Sequence, residues 1–398
     1  MSEACEVLFV DDEPNVLSGL RRMLRGMRRE WSMEFVGSAA EALEVMANRS
    51  IDVIVSDVRM PVTDGIELLD MVRQRHPEMI RIILSGHSDH VATLRATGVA
   101  HQYLAKPCDS DALQSAVRRS LSLRTQLADN RLASAIAGTK TLPAAPKVYD
   151  KLTSELANQE PDIKKIATIV STDPALAAKI LQVVNSAFFA LRREVTSVDQ
   201  AVSLLGMKTV AGLALTAGVF ESPQMDPRVA SIMNAVRDRS LKAAHVAKSI
   251  ALAETGNAAN GDAAFLAGIL HDCGKLIVGL NWPDEFVDVE HGDASLAMER
   301  VRYGLDHALA GAYLLGVWGL PDEIVEAVAY HHHPSEGGNP DAFGTTAALH
   351  IALAMIDLHD DGDTYQLDEP FVAALGKSDR VDAWQGLVED YEYEMANR

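Results

Sequence analysis

Five polar residues stand at the ends of four short apolar runs. Asp11 and Asp12 follow Val7–Val10, Asp57 follows Val53–Ser56, Ser85 follows Ile80–Leu84, and Lys106 lies just beyond Gln102–Leu104. A single strand-end aspartate is usually a solvated turn residue, and an isolated Asp pair is usually a helix cap. Acid, acid, hydroxyl and amine at four such ends are a different matter. Three carboxylates drawn together repel one another unless a hard cation neutralises them, and oxygen ligands with room for water suit Mg²⁺. The metal would orient an incoming phosphoryl group. The Asp57 carboxylate could then attack phosphorus to give an aspartyl phosphate, while Lys106 and the Ser85 hydroxyl stabilise the transferred oxygens.

A second group lies far along the chain: His271-Asp272 in G-I-L-H-D-C-G-K-L, His307 in L-D-H-A-L-A-G, and His331-His332-His333 in V-A-Y-H-H-H-P. Adjacent His and Asp on a helix, with further histidines arriving from later helices, are the composition of a metal phosphohydrolase site that activates a bound water. Taken one at a time, each histidine is more ordinarily a hydrogen-bonded core or surface residue. Lys275, four residues after His271, would favour an anionic group nearby.

The elements needed to position these residues can be read from patterning. Up to about Leu123, β-branched runs alternate with amphipathic stretches at Pro14–Arg28, Ala39–Ala47, Gly65–Gln74, Asp89–Thr97 and Ser110–Leu121. That alternation predicts an α/β doubly wound domain with a five-stranded parallel sheet over residues 1–123, whose ligands gather at the carboxyl ends of the strands. Residues 124–141 read as a helical linker. From Leu142 to Leu358 strand signals vanish and Ala- and Leu-rich helices follow one another, so an all-α domain is expected. Residues 359–398 read as an acidic extension.

With 398 residues there is room for two or three domains. The formal net charge of −20 repels nucleic acid backbones and anionic lipid, which disfavours direct DNA binding and membrane association. The longest apolar stretches, Val210–Phe220 and Ala263–Leu270, fall short of the ~20 residues that cross a bilayer, and a cytoplasmic location is expected. Cys5, Cys108 and Cys273 are odd in number and scattered, as buried thiols would be. Leu113, Val117 and Leu121 could pack on a twin helix, so a homodimer is left open.

The runs L-F-V-D-D, D-V-R-M-P-V-T-D-G, I-L-S-G and Y-L-A-K-P resemble the receiver domain of two-component response regulators over the whole first segment. The resemblance implies that a sensor histidine kinase phosphorylates Asp57. It further implies that Asp11, Asp12, Asp57 and the backbone carbonyl of Arg59 hold Mg²⁺, with Lys106 and Ser85 as partners. Tyr103 would change rotamer as the Ser85 loop moves inward. The face formed by the fourth helix, fifth strand and fifth helix would carry the signal.

The second segment, through T-L-P-A-A-P, S-T-D-P-A-L-A-A-K-I-L-Q-V-V-N-S-A, F-L-A-G-I-L-H-D-C-G-K-L and W-G-L-P-D-E-I-V-E-A-V-A-Y-H-H-H-P, resembles the HDOD domain, a helical output module related to the HD phosphohydrolases. An intact HD site resembles H…HD…D. Here Arg239 stands at the early position and Leu353 at the late one; Arg does not give up its proton to a metal and Leu has no donor atom. His245 and Asp357 lie one or two turns along as substitutes, and the G-Y-P segment of the phosphodiesterase branch is absent. A second metal in the helical module is therefore not expected. His271, Asp272, Lys275, His307, His331 and His332 would form a pocket or an internal polar network. The expected function is a response regulator whose output module binds another, unidentified signalling protein. The alternative is a receiver-gated metal phosphohydrolase acting on a cyclic dinucleotide or nucleotide; binding of a cyclic dinucleotide without hydrolysis stays open.

Overall fold

The computed structural model describes residues 5–76, 79–86, 99–106, 225–291, 295–360 and 365–397, with pieces of 108–118, 151–158, 162–185 and 194–204; of residues 85, 103, 105 and 183 only the backbone is described. All five expected strands are present: β1 (Cys5–Val10), β2 (Trp31–Val36), β3 (Val53–Asp57), β4 (Ile80–Gly86) and β5 (Gln102–Lys106). They form one parallel sheet in the order β2-β1-β3-β4-β5. Lys106 is thus the last residue of β5 rather than lying beyond it, and Gly86 extends β4 past Ser85.

Side-chain alternation explains why the strands read as continuous apolar runs. Val7, Phe9, Val53, Val55, Ile82 and Leu84 pack on one face with Leu20 of helix α1 (Pro14–Met23). Leu8, Val10, Ile54 and Ile83 pack on the other, with α2 (Ala39–Asn48) and α3 (Gly65–Arg75). A sheet covered on both faces has no solvent side on which to show polar residues. The first helix is shorter than its pattern predicts, ending at Met23 before a 3₁₀ turn at Arg25–Arg29; Gly26 weakens helix continuation there. Leu113 and Val117 are fully buried against the receiver's own sheet, which corrects the reading that they face a twin helix. The expected helix at 89–97 and the linker 124–141 lie outside the described residues.

Among the described residues after the sheet the elements are helical: α4 (Ile163–Ser171), α5 (Pro174–Val184), α6 (Pro227–Thr255), α7 (Ala258–Leu270), α8 (Cys273–Asn281), α9 (Pro283–His291), α10 (Leu296–Tyr303), α11 (His307–Val317), α12 (Asp322–Tyr330), α13 (Thr345–His359), α14 (Glu369–Ala374) and α15 (Val381–Ala396). Asp173 caps α5 through its carboxylate to the Leu176 N–H at 3.0 Å, with Pro174 at the first helical position. One core runs from Leu152 to Val388.

The acidic segment after His359 is part of that core and not an appendage. Trp384 is fully buried and its indole N–H donates to Glu254 at 2.9 Å, with Lys377 and Arg380 on the same carboxylate. The helical pattern from Trp384 to Met395 is legible in the sequence, but its packing on the module is not. Ala258–Asn281 is apolar and long enough to cross a membrane, which the sequence reading missed by stopping at Leu270; 89% of its apolar window is buried inside the module, as in a core helix.

Candidate functional site

The register of the sheet brings Asp11, Asp57 and Lys106 to one edge: Val10 pairs with Ser56, Asp57 with Leu84, and Gly86 with Lys106. Lys106 Nζ lies 2.6 Å from Asp11 Oδ2 and 2.6 Å from Asp57 Oδ1, bridging the two carboxylates. Asp11 is buried, and its Oδ1 accepts the Glu13 N–H at 2.9 Å. The second Asp57 oxygen accepts the Arg59 N–H at 3.1 Å. Asp12 is exposed on the same strand end. Burial pushes the Asp57 carboxyl above the ordinary value despite its bond to Lys106, and a neighbouring Asp11 charge adds to the push. Ser85 and Tyr103 occupy the expected strand positions, but their side chains lie outside the described residues.

The donor chemistry of this edge fits a hard cation. Asp11 and Asp57 share a single ammonium and Asp12 stands exposed beside them, so negative charge is left over, and every donor is an oxygen. With the Arg59 carbonyl they would hold Mg²⁺.

The loop after β3 is held by close packing. A Cβ on Gly65 would sit 1.8 Å from the Asp57 carbonyl oxygen, and the Gly65 N–H donates to Val58 O at 2.9 Å. Asp64 then caps α3 in a capping box with Glu67. Val62 on this loop is fully exposed and holds a left-handed φ of 73°. Gly65→Ala is expected to push the Asp57 backbone out of register and lower the rate of phosphorylation by acetyl phosphate at least tenfold, since a misplacement of about 1 Å at a reacting group costs on the order of 10²-fold. A variant labelled at the wild-type rate would show that the loop yields without moving Asp57.

The second cluster is also assembled. His271 and Asp272 follow α7, His307 begins α11, and His331 and His332 follow α12. His271 Nδ1 and His331 Nδ1 each lie 2.7 Å from a carbonyl of the preceding turn, Gly268 O and Val328 O. Those contacts turn each Nε2 into the cluster, where that of His271 lies 3.2 Å from Asp272 Oδ2. Both Nε2 atoms and Asp272 Oδ1 are buried without a well-formed hydrogen bond, although His307 Nε2 lies 3.2 Å from Asp272 Oδ1. The ligand atoms of His271, Asp272 and His331 lie within 4.8 Å of one another, as do those of His307, His331 and His332.

Arg239, which stands at the early position of the H…HD…D pattern, lies in this cluster. Its Nη2 donates to Asp272 Oδ2 at 2.9 Å, and its guanidinium lies 5.2 Å from the Tyr365 ring centroid. Leu353 is buried in α13. Neither proposed substitute takes its place as a ligand. His245 is exposed and stacks on Tyr391, and Asp357 accepts the Tyr365 N–H at 2.7 Å.

Three residues here escaped sequence reasoning. Glu299 lies 2.8 Å from His307 Nδ1 and accepts its backbone N–H. Glu290 pairs with Lys275 at 3.0 Å, which corrects the expectation that Lys275 awaits an anionic ligand. Tyr365, in the segment read as an extension, stacks on His332 at 4.5 Å. Burial works against charge on Asp272, but His271, Arg239 and Lys275 outweigh it and hold the carboxyl well below its usual range. Burial likewise opposes a charged His307, yet Glu299 and Asp272 push it up to about 9. Burial and the His307 charge pull His332 down to about 2. Histidine and aspartate donors therefore suit a transition metal by type, while the arginine already supplies a cation beside Asp272.

Comparison with known proteins bears on both halves. The family profile for the response regulator receiver domain matches residues 7–118, and that for the HDOD domain matches residues 142–334. The DNA-binding transcriptional regulator NtrC of Escherichia coli (strain K12) is 38% identical over 117 residues, 29% of this chain and 24% of that protein. An uncharacterized protein of Treponema pallidum (strain Nichols) is 23% identical over 251 residues, 61% of this chain and 47% of that one. The chain spans between about a quarter and a half of the length of these curated relatives. Among solved structures, the MmoQ response regulator from Methylococcus capsulatus str. Bath is 24% identical, with a TM-score of 0.48 over 62% of this chain and 98% of that one. Joining a receiver domain to an HDOD domain, the chain belongs to the two-component response regulators.

Proposed function

We propose that a partner histidine kinase phosphorylates Asp57 with the help of Mg²⁺, and that the acyl phosphate switches the HDOD module's binding to another protein in the cytoplasm. The observation that carries this reading is the ammonium of Lys106 held 2.6 Å from both Asp11 and Asp57. An Asp57 oxygen attacks phosphorus in line, the bond to the donor breaks, and the donor leaves with its electron pair. Lys106 meets charge that develops on the transferred oxygens. Bound Mg²⁺ would neutralise the carboxylates and orient the phosphoryl group. Acetyl phosphate with Mg²⁺ is expected to label the wild-type chain stoichiometrically and Asp57→Asn not at all. Labelling that survives the substitution moves the acceptor elsewhere.

For the helical module the Arg239–Asp272 pair supports binding over hydrolysis, because a guanidinium stands against the carboxylate that a metal would need. A net charge of −20 supports a protein partner over DNA. The three buried atoms that complete no hydrogen bond, on His271, Asp272 and His331, favour a second reading in which the cluster holds a transition metal and hydrolyses a phosphodiester. Metal analysis of the purified chain separates the two: near-stoichiometric Fe or Mn lost on His271→Ala supports the second, and trace content supports the first.

A further inference from the structure

Five polar residues lie buried where the sheet meets the helical module, at the end of β5 remote from Asp57. Arg81, His101, Gln102, Lys179 and Gln182 are each at most 7% exposed. Gln182, on α5, donates from Nε2 to the backbone carbonyl of His101 at 3.0 Å, and its Oε1 accepts from Lys179 Nζ at 3.0 Å. Gln102 donates from Nε2 to the carbonyl of Gly316, on α11, at 3.2 Å. The receiver's side of this junction is stiff. His101 Nδ1 accepts the Arg81 N–H at 3.0 Å and Nε2 lies 2.7 Å from the guanidinium, whose other nitrogens donate to Val99 O and Met79 O at 2.8 Å.

Strand β5 connects this junction to the phosphoacceptor. Gln102 is its first residue and Lys106 its last, roughly 13 Å apart at the rise of a parallel strand. It is an edge strand, hydrogen-bonded within the sheet to β4 alone. An edge strand can move along its axis by breaking one ladder, whereas a central strand must break two. The Gln102–Gly316 and Gln182–His101 bonds both end on backbone carbonyls, so they read position and not side-chain identity. Buried bonds of this kind have no water to replace them when they stretch, so they break together. Polar interfaces between domains of one chain are, in general, the ones that open.

We propose that β5 is a connecting rod between the two modules: a phosphoryl group on Asp57 draws Lys106 toward it, and the displaced strand breaks the Gln102–Gly316 and Gln182–His101 bonds, releasing α5 and α11 of the helical module from the receiver. The unphosphorylated chain is then the docked state. The switch is local charge at one end of a strand and the loss of two positional bonds at the other. This inference rests on phosphorylation of Asp57.

Hydrogen–deuterium exchange of the full chain, with and without acetyl phosphate and Mg²⁺, tests it. Phosphorylated wild type is expected to exchange the amides of residues 177–184 and 316–320 about tenfold faster than the unmodified chain, the scale set by losing one to two net hydrogen bonds. Gln182→Leu and Gln102→Ala should show the faster exchange without phosphodonor and still be labelled at Asp57. Asp57→Asn should stay slow under all conditions. The acyl phosphate is quantified in the same samples. If it forms while exchange is unchanged, the connecting rod is wrong and the acceptor site stands; if none forms, both fall. Unmodified Gln variants that exchange as slowly as wild type would also overturn the proposal.

Discussion

Arg239→Leu is expected to destabilise the helical module by about 3–5 kcal/mol, the usual cost of stripping one partner from a buried ion pair. Asp272 is 2% exposed, and the guanidinium at 2.9 Å is the strong donor to its Oδ2. Of the other nearby cations, Lys275 is held by Glu290 at 3.0 Å, and His307, bound to Glu299 at 2.8 Å, reaches Oδ1 of Asp272 at 3.2 Å but not the Oδ2 that the guanidinium serves. Leucine removes the charge and stops short of the Tyr365 ring, so the loss combines the ion pair with the cation–π contact. The double variant Arg239→Leu/Asp272→Leu removes both charges and should recover most of the stability, because two apolar groups of fitting size replace a pair that was costly to desolvate. Urea denaturation of the four-member cycle gives the coupling directly. A single-variant cost under about 1 kcal/mol would mean that water reaches Asp272 or that another cation takes over.

Lys179→Met is expected to stabilise the protein, with a distinctive pH dependence. Burial pulls the Lys179 amine from 10.5 down to about 7. The folded amine thus resists a proton that the unfolded chain binds readily, and the sign follows from linkage. Above about pH 10.5 both states are neutral and the lysine costs nothing through ionisation. Between about 10.5 and 7 the unfolded state alone holds the proton, so stability falls steadily as pH drops. Below that the penalty is complete, on the order of 4 kcal/mol at about 1.4 kcal/mol per unit. Methionine removes it, less about 1 kcal/mol for the bond lost to Gln182 Oε1. The gain should approach about 3 kcal/mol near pH 6 and vanish by about pH 10. Equal gains at both ends of that range would show that the amine is solvated in the folded chain.

The receiver half was legible because its chemistry is local: each polar residue ends an apolar run, and a parallel sheet aligns those ends. The juxtaposition of Asp11, Asp57 and Lys106 follows from strand order alone. The helical half was legible only where motif and position coincide, at His271, Asp272, His307, His331 and His332, and at Arg239. Glu299 reaches His307 across eight residues and a helix start, and Tyr365 reaches Arg239 across 126. No periodicity encodes such meetings; they depend on how α10, α11 and the chain after α13 turn back. Lys275 was misread for the same reason, since its partner Glu290 sits on another helix. In the tail the helical pattern from Trp384 to Met395 could be read, but not that Trp384 and Val388 join the module's core, because their partners such as Glu254 lie over a hundred residues away.

Tyr365 lies beyond the last helix that carries a histidine of the cluster, yet its ring covers His332 and its hydroxyl meets Arg239. During synthesis His332 therefore stands uncovered until Tyr365 has left the ribosome. A recombinant fragment trimmed at residue 334 or 358 would keep that state permanently. Its imidazoles would scavenge nickel or zinc from a purification column, and the metal would report on where the gene was cut.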